Sequence, residues 1–576
     1  MSTDAGVPGP PSEIERLKEA SQYLRGTLLQ SLADPLTGGL AAADQALIKF
    51  HGTYQQDDRD ARERRQQRKL EPLHSFMVRI RVPGGVLRPE QWLQLDDLAT
   101  RYGCESLRLT TRQAVQLHGV LKRDLQALIR DVSQLGLDTL AACGDVNRNV
   151  ICAANPEASE LHAEVYATAA AISRELTPHT GAYREIWLDG QRAHVDGGDE
   201  EPLYGRTYLP RKFKIALAIP PDNDVDVFAH DLGFIALRGA DGALGGYNVA
   251  VGGGMGQTHG VPATYPQLGR VLGACRVDEA VEVATAVVLL QRDLGDRSDR
   301  RQARLKYTLD RLGVAAFIAA LGRRRGRLLD PAQPYHFNRN GDRYGWQPAG
   351  RGRWNLGLYV PGGRVRDVPN SPWRTGLRAL VSAHRGDLRL TPNQNLMLSG
   401  VTTAARRPLQ ALLDRHQLSP ALHSPVRQLA LACVALPTCP LAMAEAERYL
   451  PALLDRFDAL LRQEGLADQP ITVRVTGCPN GCARPYLAEV ALVGKGPGYY
   501  NLYLGGSPGG ERLNQLYREN IDEAAILAAL VPLLRQYAQA RQAGEAFGDF
   551  VVRMGHVAAV HDGRQFHCPV PAPTAD

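Results

Sequence analysis

Apolar and polar positions alternate over Phe76–Val82 (FMVRIRV), with Val78, Ile80 and Val82 on one face and Arg79 and Arg81 on the other. A period of two predicts a strand with one buried face. Leu125–Leu135 (LQALIRDVSQL) instead spaces its apolar residues three and four apart, the pattern of an amphipathic helix. These signatures belong to a block that occurs twice. VPGG at Val82–Gly85, LRLT at Leu107–Thr110, Gln113, Gly119 and LQAL at Leu125–Leu128 form the first copy. VPGG at Val360–Gly363, LRLT at Leu388–Thr391, Gln394, Gly400 and LQAL at Leu409–Leu412 form the second, with identical spacing from LRLT to the Gln and the Gly. Landmarks kept in order predict a duplicated strand-and-helix module. Longer mixed segments follow each copy, with a strand predicted at Lys212–Ile219 and a helix at Asp278–Leu290. The expected fold is α+β (mixed α/β) and multi-domain, with a pseudo-twofold internal duplication.

Length and composition narrow the class. A chain of 576 residues exceeds a single core, and 44% hydrophobic with 22% charged residues is an ordinary globular balance. Its net charge of +6 is mild for this size and suits anionic small ligands only if the cations are gathered in one place. The longest apolar run, Leu312–Leu321, is half a membrane span and meets Arg323–Arg325. The N-terminus is polar and proline-rich, so the expectation is a cytoplasmic protein without a membrane segment. The charge run Arg59–Lys69 (RDARERRQQRK) reads as a solvated helix face in preference to a docking or nucleic-acid patch.

The cysteines change the picture most. Cys104, Cys143, Cys152, Cys275 and Cys568 are scattered, whereas Cys433-x5-Cys439 and Cys478-x3-Cys482 form two tight pairs. Four thiolates suit an iron–sulfur cluster or a structural zinc. Neither gap has the two-residue spacing of a zinc knuckle, which favours the cluster. In TGCPNGCARP, Gly477 and Gly481 leave the backbone free to turn its amides toward a negatively charged group.

Basic residues form the second constellation. Strand alternation puts Arg108, Thr110 and Arg112 on one face opposite Leu107 and Leu109, and sets Lys212 and Lys214 around Phe213. Arg148 sits in DVNRNVIC. Solvent-facing strands explain any one stripe; alongside the cysteines, a converging anion pocket is the better reading. The second copy has Tyr359 in place of Arg81 and Asn393 in place of Arg112, which suggests one working half and one structural half. His118, two residues from Gln116, reads equally as a ligand contact or a structural histidine, and His51 has no assigned role. The GGGMG run at Gly252–Gly256 does not fit a dinucleotide fingerprint, so no flavin or nicotinamide site is expected in this chain.

Several segments together are similar to one family. KFHGTYQQDDRD, RIRVPGG, LRLTTRQAVQLHG, NRNVICAANP, YLPRKFK, ACVALPTCPLAMAEAERYL and RVTGCPNGCARPYLAEVALVGK resemble the siroheme sulfite and nitrite reductases, on the sulfite branch, across about residues 13–556. The resemblance implies a division into an N-terminal arm (1–70), a first ferredoxin-like half (71–145), a first siroheme-binding α/β domain (146–345), a second ferredoxin-like half (346–420) and a second α/β domain with the cluster cysteines (421–576). It implies a siroheme coupled to a 4Fe–4S cluster through a shared Cys482 thiolate, with Cys433, Cys439 and Cys478 as the other ligands. Arg81, Arg148, Lys212 and Lys214 fall on the family's substrate-binding positions. Arg108, Thr110, Arg112, His118, Gln394 and Asn480 fall on siroheme-lining ones, and Arg304 stands where the family offers a lysine. The family's substrate is sulfite, and its partner is a flavoprotein that carries FAD and FMN and oxidises NADPH, for which the arm is a plausible docking element.

Two alternatives carry different chemistry. A ferredoxin-dependent sulfite or nitrite reductase would use the same metals with another donor. A zinc protein binding nucleic acid through its basic strands is opposed by the knuckle gaps and by an aromatic content of 6%.

Overall fold

The computed structural model describes residues 9–154, 159–180, 186–188, 191–194, 200–350, 352–369 and 371–568. The first repeat folds into a five-stranded sheet ordered Thr53–Asp57, His74–Ile80, Val115–Val120, Leu107–Leu109 and Arg364–Val365. The second folds into a sheet ordered Gly345–Pro348, Arg353–Leu358, Leu396–Thr402, Leu388–Leu390 and Val86–Leu87. Each sheet is completed by a two-residue strand from the other copy. Val86–Leu87 follows the first VPGG turn and pairs with Leu388 and Arg389, while Arg364–Val365 follows the second and pairs with Arg108 and Leu107. The repeat seen in the sequence is therefore a reciprocal exchange of edges.

The α/β domains repeat as well. Ile151–Cys152, Ile215–Ala218, Leu232–Arg238, Leu244–Val251 and Arg270–Cys275 form one sheet; its first two pairings are parallel and its last two antiparallel. Leu431–Ala432, Val473–Thr476, Val490–Gly496, Tyr499–Leu504 and Gln515–Ile521 repeat that order and those directions. The loops between the two sheets pack on a shared core that includes Val225, Val227, Tyr486 and Leu487. Gln113 and Gln394 show the symmetry in side-chain detail. Both have left-handed φ, and their amides pair with the backbone of Cys152 and Ala432 respectively.

Element predictions hold at their centres and shift at their ends. The strand expected at Phe76–Val82 runs His74–Ile80, the helix at Leu125–Leu135 runs to Gln134, and that at Asp278–Leu290 runs Ala280–Leu294. The strand expected at Lys212–Ile219 narrows to Ile215–Ala218, because Phe213 makes only an isolated bridge to Asn147. The glycines after Val251 serve packing: a Cβ on Gly253 would run into the carbonyl oxygens of Phe228 and His230. Among the described residues, no helix is long and apolar enough to cross a membrane.

The N-terminal segment is strapped down. Helix Glu13–Ala20 carries Lys18, whose ammonium is fully buried, donates to Leu209 O at 2.8 Å and lies 3.7 Å from Asp145. The charge run forms helix Arg59–Gln67, capped by Asp58. Arg62 pairs with Asp57, and Arg59 donates to Ala442 O at 2.6 Å; Arg64, Arg68 and Lys69 stay exposed.

Candidate functional site

All four paired cysteines line one cavity of roughly 410 Å³ at the junction of both repeats with the second α/β domain. Cys433 follows strand Leu431–Ala432 and Cys478 follows strand Val473–Thr476, two neighbouring parallel strands that bring distant pairs together. Gly477 N donates to Cys433 Sγ at 3.3 Å, and Asn480 Nδ2 to Cys478 Sγ at 3.5 Å. Burial, then the Cys482 sulfur, pushes the Cys433 and Cys439 thiols up to about 12. Thiols raised in this way hold their protons unless a metal cation replaces them, and inward N–H donors favour a charged sulfur. The donor set therefore fits an iron–sulfur cluster.

Cations share the rest of the cavity wall with apolar residues such as Phe50 and Met77. Arg79, Arg108, Arg148, Arg211, Lys212 and Arg300 all line it. Arg108 is 2% exposed, donates to Ala432 O at 2.8 Å and pairs with Glu447 at 3.0 Å. Arg148 lies beside Tyr54 Oη at 3.5 Å and donates to Gly144 O at 3.2 Å. No hydrogen bond or ion pair holds the Lys212 ammonium among the described residues. Burial, then the Arg211 and Arg148 guanidiniums, brings that ammonium down to about 7. A half-buried wall of this kind suits a ligand with several carboxylates and a small oxyanion.

A chain of side chains crosses the first sheet. Arg79 and Arg108 both stand opposite Gln116 in the strand register. With its amide oxygen toward Arg79, Gln116 accepts from Arg79 Nε at 3.1 Å and turns its NH2 toward His118 Nε2. His118 Nδ1 lies 3.2 Å from Gln56 Oε1. Burial, then Arg364 and Arg108, holds the imidazole well below its ordinary pKa, so it is neutral.

The remaining expected site residues divide clearly. Thr110, Gln394 and Asn480 line the cavity. Thr110 also holds its own turn by accepting from Arg112 N and Ala114 N, each at 3.2 Å. Arg81, Arg112, Lys214 and Arg304 are not among the lining residues. Arg81 lies one residue past its strand, bridges to Asp138, and turns its guanidinium to Ser173 and Thr177. Arg112 braces Ile215 O at 3.0 Å and His230 at 3.1 Å. Arg304 binds Asp231 bidentately at 3.0 and 2.8 Å, and Lys214 N donates to the same carboxylate. Arg79, not Arg81, occupies the wall. The signal was present, since both arginines share a face, but alternation does not say where a strand ends.

Comparison with known proteins places this geometry. The description "Nitrite/Sulfite reductase ferredoxin-like half domain" matches twice, at residues 68–135 and 347–416. "Nitrite and sulphite reductase 4Fe-4S domain" matches residues 168–328. Curated relatives named sulfite reductase (NADPH) hemoprotein beta-component match almost end to end. The Myxococcus xanthus protein is 58% identical, covering 96% of this chain and 98% of its own length. The Chromohalobacter salexigens protein is 57% identical over 96% and 97%, and the Geobacillus kaustophilus protein 55% over 97% and 98%.

The chain belongs to the nitrite and sulfite reductase family.

Its fold agrees with a solved structure, Mycobacterium tuberculosis NirA, at a TM-score of 0.77 and 24% identity over 95% of this chain and 97% of that one. The 4Fe-4S family description covers the first α/β domain, whereas the clustered cysteines lie in the second. The two domains share one strand order, so one description can fit the copy without the cysteines.

Proposed function

We propose that this protein is the haemoprotein subunit of an assimilatory NADPH-dependent sulfite reductase that makes sulfide for cysteine biosynthesis. It works in the cytoplasm and receives electrons from a separate flavoprotein with FAD and FMN. The observation that carries this reading is the convergence of four cysteines and a ring of cations on one cavity. Cys433, Cys439, Cys478 and Cys482 would hold a 4Fe–4S cluster, and Cys482 would also serve a siroheme seated against it. The bound siroheme supplies the iron at which sulfite is reduced by six electrons.

The chain's own residues bind, orient and protonate. Arg79 and Arg148 grip sulfite oxygens, since a guanidinium can meet two oxygens at once. Lys212 supplies protons to departing oxygens: an ammonium near neutrality gives one up and regains it, which arginine cannot. Lys214 follows two residues later with its backbone fixed on Asp231, and burial, then Lys212, pushes its ammonium well below the ordinary lysine pKa. Arg108 and Arg300 add positive charge for siroheme carboxylates, while neutral His118 and Gln116 hold Arg79 in place. Arg81, Arg112 and Arg304 support the wall from behind.

The test is a visible absorption spectrum of the purified protein with and without sulfite, together with iron and zinc analysis. Siroheme bands that move on adding sulfite, and about five irons per chain, are expected. A colourless or zinc-only protein after cofactor supply would refute the reading.

A further inference from the structure

The internal symmetry brings two equivalent residues face to face. Asp226 (φ 50°) precedes the turn Val227–Ala229 and strand Leu232–Arg238; Arg484 (φ 51°) precedes the turn Pro485–Leu487 and strand Val490–Gly496. The two positions are 258 residues apart, as are the strands before and after them. Both residues take the left-handed conformation that side chains other than glycine's disfavour. Their side chains meet: Arg484 Nε donates to Asp226 Oδ2. Arg474 Nη1 donates to the same oxygen at 2.7 Å and to Arg484 O at 3.0 Å. The three side chains are 0%, 4% and 3% exposed for Asp226, Arg484 and Arg474.

The remaining Arg484 nitrogens reach both repeats. Nη1 donates to Thr111 O at 3.1 Å; Nη2 donates to Pro392 O and Asn393 Oδ1, each at 3.0 Å. Thr111 Oγ1 in turn donates to Cys482 O at 3.1 Å. One guanidinium thus joins the turn after each LRLT motif, the first α/β domain through Asp226, and the loop that carries Cys482. None of the three charged groups lines the cavity, and their sum is one buried positive charge.

We propose that the Arg474–Asp226–Arg484 triad is a positioning device for Cys482 and biases the reduction potential of the metal pair through its net positive charge. This rests on Cys482 being the ligand shared by cluster and siroheme. A fixed buried charge acts through a low dielectric, and the potential of an iron–sulfur centre follows local charge and hydrogen bonding. The two parts of the role separate by substitution. Arg474→Met removes charge and the bond to Arg484 O but leaves the Arg484 guanidinium contacts to Thr111, Pro392 and Asn393, so the potential falls while the visible spectrum stays. Asp226→Asn adds net positive charge, so the potential rises. Arg484→Lys keeps the charge but loses the forked contacts to Thr111, Pro392 and Asn393, so the signature of the coupled metals changes in electron paramagnetic resonance.

The experiment is a spectroelectrochemical titration of the purified holoproteins, with iron content and circular dichroism of each. Opposite shifts for Arg474→Met and Asp226→Asn, with altered coupling or lost iron in a folded Arg484→Lys, are expected. Unshifted potentials, or shifts of one sign in both charge variants, overturn the electrostatic role even if Asp226→Asn alone folds poorly, because Arg474→Met must still fall. A wild-type spectrum and iron content in Arg484→Lys overturn the positioning role. Wild-type protein without iron or siroheme would instead defeat the parent reading.

Discussion

Arg79 and Arg81 are two residues apart, yet only Arg79 lines the cavity. Arg79 still has a ladder partner in Gln116, whereas Arg81 has left the strand and is claimed by Ser173 and Thr177. Replacing Arg79 with Ala should cost sulfite binding about 2 kcal/mol, roughly thirtyfold in KM, as expected for loss of a charged hydrogen bond. Arg81→Ala should leave sulfite KM near wild type and lower thermal stability instead. Steady-state kinetics with an artificial reductant, alongside melting curves, separates the two. Lys212 makes a second prediction at this scale. Its ammonium is protonated below about pH 7 and loses its proton as pH rises, so full reduction should decline on the alkaline side. Lys212→Arg should keep anion binding, flatten that alkaline limb and release partly reduced sulfur products, detectable in a pH–rate series with product analysis. The cysteine pairs, Arg148 and Lys212 were legible in the sequence because motif spacing carries them. Arg211, Arg300 and Tyr54 were not, because their place in the wall depends on which loops close over it.

At the scale of elements, helix Glu13–Ala20 is held by charge as much as by apolar packing. Burial drives the Asp145 carboxyl upward, but Arg300 and Lys18 more than offset this and hold it well below the usual carboxylate range. Arg300 grips it at 2.7 and 2.9 Å. A depressed carboxylate stabilises the fold above its unfolded pKa, and that contribution is lost as pH falls through the folded value. The helix should therefore loosen only under strongly acid conditions. Asp145→Asn should mimic this at neutral pH, at a cost on the order of 3 kcal/mol, because it takes from Arg300 its bidentate anion and leaves Lys18 with Glu15 alone. Limited proteolysis should then cut first in the N-terminal arm. Nothing in the sequence hints at this anchor: Lys18 and Asp145 are too far apart for any pattern to join them. The charge run Arg59–Lys69 was half legible. Its outer face is solvated, but Arg59 ties it to the loop between Cys439 and Ala442.

Over the whole molecule, the duplication was the most readable feature, since VPGG, LRLT and the paired glutamines recur in the same order, with identical spacing from LRLT to the glutamine. What they do for each other was not readable. The short strands after each VPGG turn complete the opposite sheet, so neither half has a finished edge alone. Separately expressed fragments 1–343 and 344–576 should each aggregate, because an unpaired strand edge invites other chains. Co-expressed, they should recover a soluble assembly, measurable by size-exclusion chromatography and, once metal is supplied, by colour.

The exchanged edge also sets a waiting time during synthesis. Strand Leu107–Leu109 leaves the ribosome long before Arg364–Val365, its neighbour in the finished sheet. At roughly 5–20 residues per second, the open edge stays uncovered for tens of seconds on every nascent chain. Any ribosome stalled within that stretch releases a polypeptide whose first sheet can close only on another molecule. Slower translation between the two VPGG turns lengthens the time in which that edge can pair with another chain.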